Sequence, residues 1–189
     1  MHLAKKGLRV LGVAESFRGR EDSTLAGVVM RRDRIIDGFG FAEVTVGGMD
    51  ATNAVISLFK AFEREDVNLI MLSGCVIAWY NIISPEEVWR ETGVPVVVVT
   101  YEDSEGLKEE IGAHFPGDEE RLEAYRRLGA RTPRTHRTGY TVYLRAAGID
   151  VQEAGALVEG FTLEGKVPEP LRTARLAARA LMRHRYGRR

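Results

Sequence analysis

The sequence predicts an α/β fold built on a mixed sheet, and three observations predict it. Three apolar segments within the first 46 residues follow one another across short turns. After Gly47-Gly48 the apolar period lengthens from strand-like to helix-like. Beyond that point two short, continuously apolar segments alternate with a helix signal, the pattern of parallel strands buried on both faces.

Residues 8–16 (LRVLGVAES) read as a buried strand, 17–23 as a loop and 24–30 (TLAGVVM) as a second strand. RRDR at 31–34 is a tight turn, and 35–46 form a third strand, broken or bent at Gly38 and Gly40. Three strands joined this way make an antiparallel meander. Asp50 then stands where it can cap a helix running to Glu65, whose stripe is Ala54, Val55, Leu58, Phe59 and Phe62. Residues 67–72 (VNLIML) are a strand, turned at Ser73-Gly74. Ser84, Pro85 and Glu87 supply the cap, first turn and capping-box partner of a short helix that Gly93 ends. Residues 94–100 (VPVVVVT) are the next strand.

The order is therefore β-β-β-α-β-α-β, and it predicts a five-stranded mixed sheet, three antiparallel strands followed by parallel ones, with helices on both faces. Further on, residues 104–115 and 118–128 read as helices, 140–145 as a short strand, and 151–158 and 168–186 as helices. Arg172, Arg175, Arg179 and Arg183 share one face of the last helix, opposite Ala174, Ala178 and Leu181. That face is either a phosphate track or simply solvated.

A length of 189 residues suits a single domain spanning 1–189 with a helical C-terminal part. The hydrophobic fraction of 44% and charged fraction of 29% exclude a disordered or collagenous chain. The longest apolar runs fall far below the roughly 20 residues of a membrane span, so no membrane role is expected. Residues 1–9 are basic without a long apolar stretch after them, so no signal peptide is expected. One cysteine, Cys75, excludes an internal disulfide and fits a cytoplasmic location.

The formal charge is zero, from 27 basic and 27 acidic residues, but the charges are segregated. Residues 102–120 hold eight acids and one lysine, 121–145 hold seven arginines and one acid, and 171–189 hold seven arginines and no acid. Arginine outnumbers lysine 22 to 5, which favours bidentate phosphate contacts as well as surface ion pairs.

Several chemistries find no support. The G-x-S-x-G elbow, the Walker lysine and G-x-G-x-x-G are all absent. His2, His114, His136 and His184 are scattered without metal-ligand spacing, and Cys75 follows an apolar strand as core thiols do.

A meander, a helix and a parallel strand open the ribonuclease H-like fold, and here the sequence resembles a known family. The carriers are LGVAES at 11–16, VGGMDAT at 46–52, LSGCVIAWYNIIS at 72–84, VPVVVVTYEDSEGL at 94–107 and PEPLRTARLAARAL at 168–181. These resemble the archaeal proteins grouped as domain-of-unknown-function family ninety-nine, some of which bear the name endonuclease dU. They are distant relatives of endonuclease V, which nicks nucleic acid beside deaminated bases. The resemblance implies a ribonuclease H-like sheet whose converging carboxylates hold Mg²⁺ or Mn²⁺.

The expected acids are mostly replaced. The positions that match family acids hold Ala14, Asp50, Ser73 and Ser84, so Asp50 alone is kept. Glu15 and Asp22 are candidates to join Asp50 as metal ligands, and Asp50 and Glu15 are the candidate catalytic residues. In an ideal strand Ala14 and Glu15 point to opposite faces, so Glu15 needs a bulge to turn inward. Asp50 also has a purely structural reading as a helix cap. Tyr80 and Asn81 preserve an aromatic-Asn pair of the resemblance, and Tyr80 either stacks on an extruded base or plugs the space under the following helix, while Trp79 is expected to be buried. Arg18, Arg20, Arg172, Arg175 and Arg179 are candidate phosphate contacts. The functional expectation is nucleic-acid recognition with a degenerate metal site. The alternatives are an active metal-dependent endonuclease on deaminated DNA or RNA, and a protein-interaction scaffold, with homo-oligomers possible.

Overall fold

The computed structural model describes residues 7–17, 21–103 and 106–187. The strands are β1 (Arg9–Ser16), β2 (Asp22–Arg31), β3 (Ile36–Thr45), β4 (Leu69–Leu72), β5 (Val76–Ile77), β6 (Asn81–Ile82), β7 (Val96–Thr100), β8 (Thr132–Thr135) and β9 (Thr141–Ala147). The helices are α1 (Ala51–Ala61), α2 (Pro85–Thr92), α3 (Lys108–His114), α4 (Glu119–Arg127), α5 (Val151–Gly160) and α6 (Glu169–Tyr186). The main sheet runs β3-β2-β1-β4-β7-β9-β8, and β5 and β6 form a separate hairpin. The meander is antiparallel, β1, β4 and β7 are parallel, and β9 returns antiparallel to both β7 and β8.

The sheet thus has seven strands where the sequence predicts five. The extra pair escapes the hydrophobic pattern. β8 (TPRT) has no large apolar residue and lies half in solvent, so its strand state comes from pairing with β9.

Alternation along β1 sends Leu11 and Val13 toward α1, with Val55 and Leu58, while Leu8 and Val10 pack with Leu157, Phe161 and Leu171 of the α5–α6 side. Each fully buried large apolar side chain contributes roughly 1.5–3 kcal/mol, so these two layers carry the stability of the sheet. Gly12 lets α6 press directly on β1, because a Cβ there would lie 2.5 Å from Pro170 Cβ.

β3 is continuous rather than broken. Its glycines serve packing, since a Cβ on Gly40 would stand 2.9 Å from the Phe62 ring. Among the described residues, the meander's register shift lies where Val29 pairs with Gly38 and Met30 with Ile36, so β3 carries Asp37 as an extra residue beside Gly38 and is irregular there, as the sequence suggests. α1 ends at Ala61 with Phe62 as its C-cap, four residues short of the expected end at Glu65. In α2 the expected ends are realised: the Ser84 hydroxyl accepts the Glu87 N–H at 3.3 Å, and Gly93 closes the helix at φ 69°.

Candidate nucleic-acid interface

The parallel strands β1, β4 and β7 end along one edge of the sheet, at Ser16, Leu72 and Thr100. In open α/β sheets, ligands bind outside these carboxyl ends. The candidate residues are distributed along this edge.

Asp50 stands at the N-cap position of α1, yet its carboxylate accepts nothing from that helix. It accepts the Thr45 hydroxyl at 2.8 Å, the Thr45 N–H at 3.1 Å and the Asn81 amide at 2.6 Å. Burial raises its pKa, but the Thr45 and Asn81 donors outweigh this and hold the carboxyl below the ordinary aspartate range. The cap comes instead from Asn81, whose carbonyl accepts the Ala51 N–H at 3.0 Å. Asn81 is wholly buried and also donates to Thr45 O, so it holds backbone and cannot reach a ligand, contrary to its place among the expected contacts.

Glu15 and Ala14 point to opposite faces, and β1 pairs with β2 without a shift through Glu15↔Leu25. No bulge turns Glu15. Its carboxylate receives the Ser23 hydroxyl and, at 3.1 Å, the Ala78 N–H. Asp22 is exposed at the start of β2. Glu15 and Asp50 therefore grip the two ends of the 78–81 segment, one through Ala78 and one through Asn81. Neither meets Asp22 in a metal-sized cluster: among the described residues, no three of His, Cys, Asp and Glu are grouped to hold an ion.

The replaced positions also have other partners. Ala14 packs against Val28 and Ala174. Ser84 caps α2. The Ser73 hydroxyl receives the Arg175 guanidinium at 2.9 Å. A hard divalent cation needs several oxygen ligands, mostly anionic. A methyl group, a helix cap and a hydroxyl already bound by a guanidinium do not fit that requirement.

The 78–81 segment is the most strained backbone of the edge. Ala78, Trp79 and Tyr80 all have left-handed φ, at 42°, 61° and 61°. Such residues cost on the order of 1–3 kcal/mol each and persist only where surroundings over-determine them. Here the surroundings are Glu15, Asn81 and Arg121. Arg121 is only 4% exposed, and it donates to Tyr80 O at 2.6 Å, Gly47 O at 2.8 Å and Gly48 O at 2.9 Å. Asp118 fixes it from α4 at 2.9 Å, and the Phe115 ring lies 3.9 Å beneath its guanidinium.

The turn throws Trp79 outward. It is 46% exposed rather than buried as expected, and its ring meets Tyr80 edge-on at 5.4 Å and His114 at 4.8 Å. Tyr80, half-buried, lies 5.4 Å from His114 and 6.1 Å from Phe115. Together they make an aromatic platform on the rim.

A cleft of about 860 Å³ opens over the ends of β4 and β7. Arg131, Arg145, Lys166 and Arg175 line it, with Tyr101 and Tyr143. Cys75 also borders it, but it is buried, and burial pushes its thiol up to about 12, so it is no nucleophile at neutral pH.

The arginines of α6 do not act as one face. Arg175 turns in to Ser73, Arg172 pairs with Glu169 at 3.3 Å, and Arg179 is exposed. Arg18 and Arg20 lie outside the described residues. Sequence reasoning missed Arg121, His114, Arg131, Arg145 and Lys166. Of these only Arg121 left a signal, an arginine three residues after the helix-capping Asp118.

The fold and site define an α/β protein of ribonuclease H-like architecture with an aromatic and basic rim. The chain belongs to the endonuclease dU family, which it matches over residues 6–182. It is 44% identical over 170 residues to a UPF0215 protein of Pyrobaculum calidifontis, covering 89% of this chain and 93% of that one. A protein of unknown function from Archaeoglobus fulgidus has a solved structure with TM-score 0.80 and 31% identity, covering 92% of this chain and 98% of the other. Endonuclease V of Ciona intestinalis, solved with a 24mer DNA containing an inosine followed by a ribo-adenosine, has TM-score 0.64 and 14% identity, covering 95% and 87%. The last likeness is one of fold.

Proposed function

We propose that this protein recognises nucleic acid along the carboxyl edge of its sheet, in the manner of endonuclease V, with the family's metal-holding acids largely replaced. One observation carries the reading: Trp79, 46% exposed, is locked outward by three successive left-handed residues beside Tyr80 and His114. Strain of this kind is retained where a geometry must be held ready. Each base stacked on such a ring gains roughly 1–3 kcal/mol. The DNA complex of the Ciona endonuclease V, which shares the fold, supports a polynucleotide as partner. A cytoplasmic place of work belongs to the same reading.

Gel-shift titration with single- and double-stranded DNA and RNA carrying uracil or inosine tests it. Binding at low salt is expected, weakened about tenfold or more by Trp79→Ala. Absence of binding to every substrate at low salt overturns it in favour of an interaction scaffold.

Membership of the endonuclease dU family favours a second reading, active cleavage of deaminated strands. It requires Mg²⁺- or Mn²⁺-dependent nicking that is lost in Asp50→Asn, a change that keeps the side-chain shape.

A further inference from the structure

The cleft over β4 and β7 is built around a guanidinium. Arg175 from α6 donates to the Ser73 hydroxyl at 2.9 Å. An acid at this position would pair with the guanidinium and neutralise it. A hydroxyl leaves the positive charge in place. A cation brought to Ser73 would face that charge directly and be repelled.

The rest of the lining has the same sign. Among the described residues, four cations line the cleft against two carboxylates, Glu102 and Asp103. Their side chains are 85% and 79% exposed, and they pair with Lys166 and Arg131. Arg145 donates to the Leu128 and Gly129 carbonyls, which orient it without removing its charge. Among the described residues, no carboxylate lies within ion-pair distance of Arg145 or Arg175. Tyr101 lies beside Ser73, its ring 5.6 Å from the Arg175 guanidinium. A volume of about 860 Å³ exceeds a bare inorganic anion and suits a nucleotide-sized molecule. The Tyr101, Tyr125 and Tyr143 rings offer it apolar walls.

We propose that this cleft binds a phosphate ester, with Arg175 and the Ser73 hydroxyl holding the phosphoryl oxygens and Arg145 and Lys166 supplying further charge. Arginine matches the geometry of a phosphate in a bidentate fork, and a serine hydroxyl adds a neutral donor. The site stands apart from the platform: phosphate binding by a protein that shifts no polynucleotide would keep the cleft and remove the platform's role.

Calorimetric titration of the full chain at low salt tests the site with three probes: inorganic phosphate, a 5′-phosphorylated trinucleotide and its 5′-hydroxyl counterpart. Binding of at least one probe is expected, weakened about tenfold or more in both Arg175→Gln and Ser73→Asp, and unchanged in Arg183→Gln, an exposed position on the same helix. Preference for the phosphorylated trinucleotide assigns a terminal monoester, and equal binding of the two assigns an internal diester. Ser73→Asp gains an ion pair with Arg175, so retained thermal unfolding separates loss of the site from loss of the fold. Phosphate bound equally by wild type and both variants, or no heat with any probe, overturns the proposal.

Discussion

Asp50 shows how much a single carboxylate's role depends on its donors. Hydrogen bonds from Thr45 and Asn81 hold its pKa below the ordinary 3.8 despite partial burial. A carboxyl depressed by folding stabilises the protein above its unfolded pKa and loses that contribution as pH falls through the folded value. Asp50→Asn is therefore expected to lower stability at pH 7, and the gap from wild type should narrow steadily below about pH 4. Urea unfolding at a series of pH values measures this, and a gap constant down to pH 2 would show that the charge contributes nothing. Cys75 gives the opposite case, a group silenced by its surroundings. With the thiol raised to about 12 and buried, modification by a thiol reagent at pH 8 should be slow in the native protein and fast in denaturant. Rapid native labelling would mean that the floor of the cleft opens.

The β5–β6 hairpin is where residues missing from any motif become an element. Its backbone is held from three directions, by Glu15 at Ala78, by Asn81 at Ala51 and Thr45, and by Arg121 at Tyr80. Glu15→Ala is expected to loosen the turn and weaken nucleic-acid binding several-fold, whereas Glu15→Gln, which keeps an acceptor for the Ala78 N–H, should restore most of it. Equal loss in both would instead assign the Glu15 charge a direct part. The same hairpin marks the boundary of what the sequence discloses. The meander, α1, α2 and the β4 and β7 strands follow from apolar period and capping residues, because those signals are local. β8 does not, since TPRT is a strand only through pairing with β9. Trp79 departs from its expected burial for a related reason: an apolar run implies burial, and three consecutive left-handed residues without glycine have no sequence signature. Arg121 reaches Gly47 and Gly48 across more than 70 positions of chain, a distance that spacing rules do not cover.

At the scale of the molecule, zero net charge conceals opposed regions. The cations of the cleft come from the segment before β8, from β9, from the segment before α6 and from α6 itself, while the exposed acids Glu109, Glu110, Glu119 and Glu120 open α3 and α4 beside the platform. A strand lying on the platform and continuing to the cleft passes this acidic corner, so its affinity reflects attraction on one side and repulsion on the other. Single-strand binding loses affinity with a log–log salt slope of about −0.7 per phosphate contact, or roughly −3 for four contacts. Replacing Glu109 and Glu110 by Gln removes part of the repulsion. Affinity should rise a few-fold at 50 mM salt and return to the wild-type value near 0.5 M, where the screening length falls to about 4 Å. The first turn of α3 loses its favourable acids at the same time, a cost of roughly 0.3–1 kcal/mol each to a short helix, so the gain must be read on protein shown to remain folded. Unchanged affinity at low salt would mean that the bound strand leaves the platform away from α3, toward the β1–β3 side of the edge.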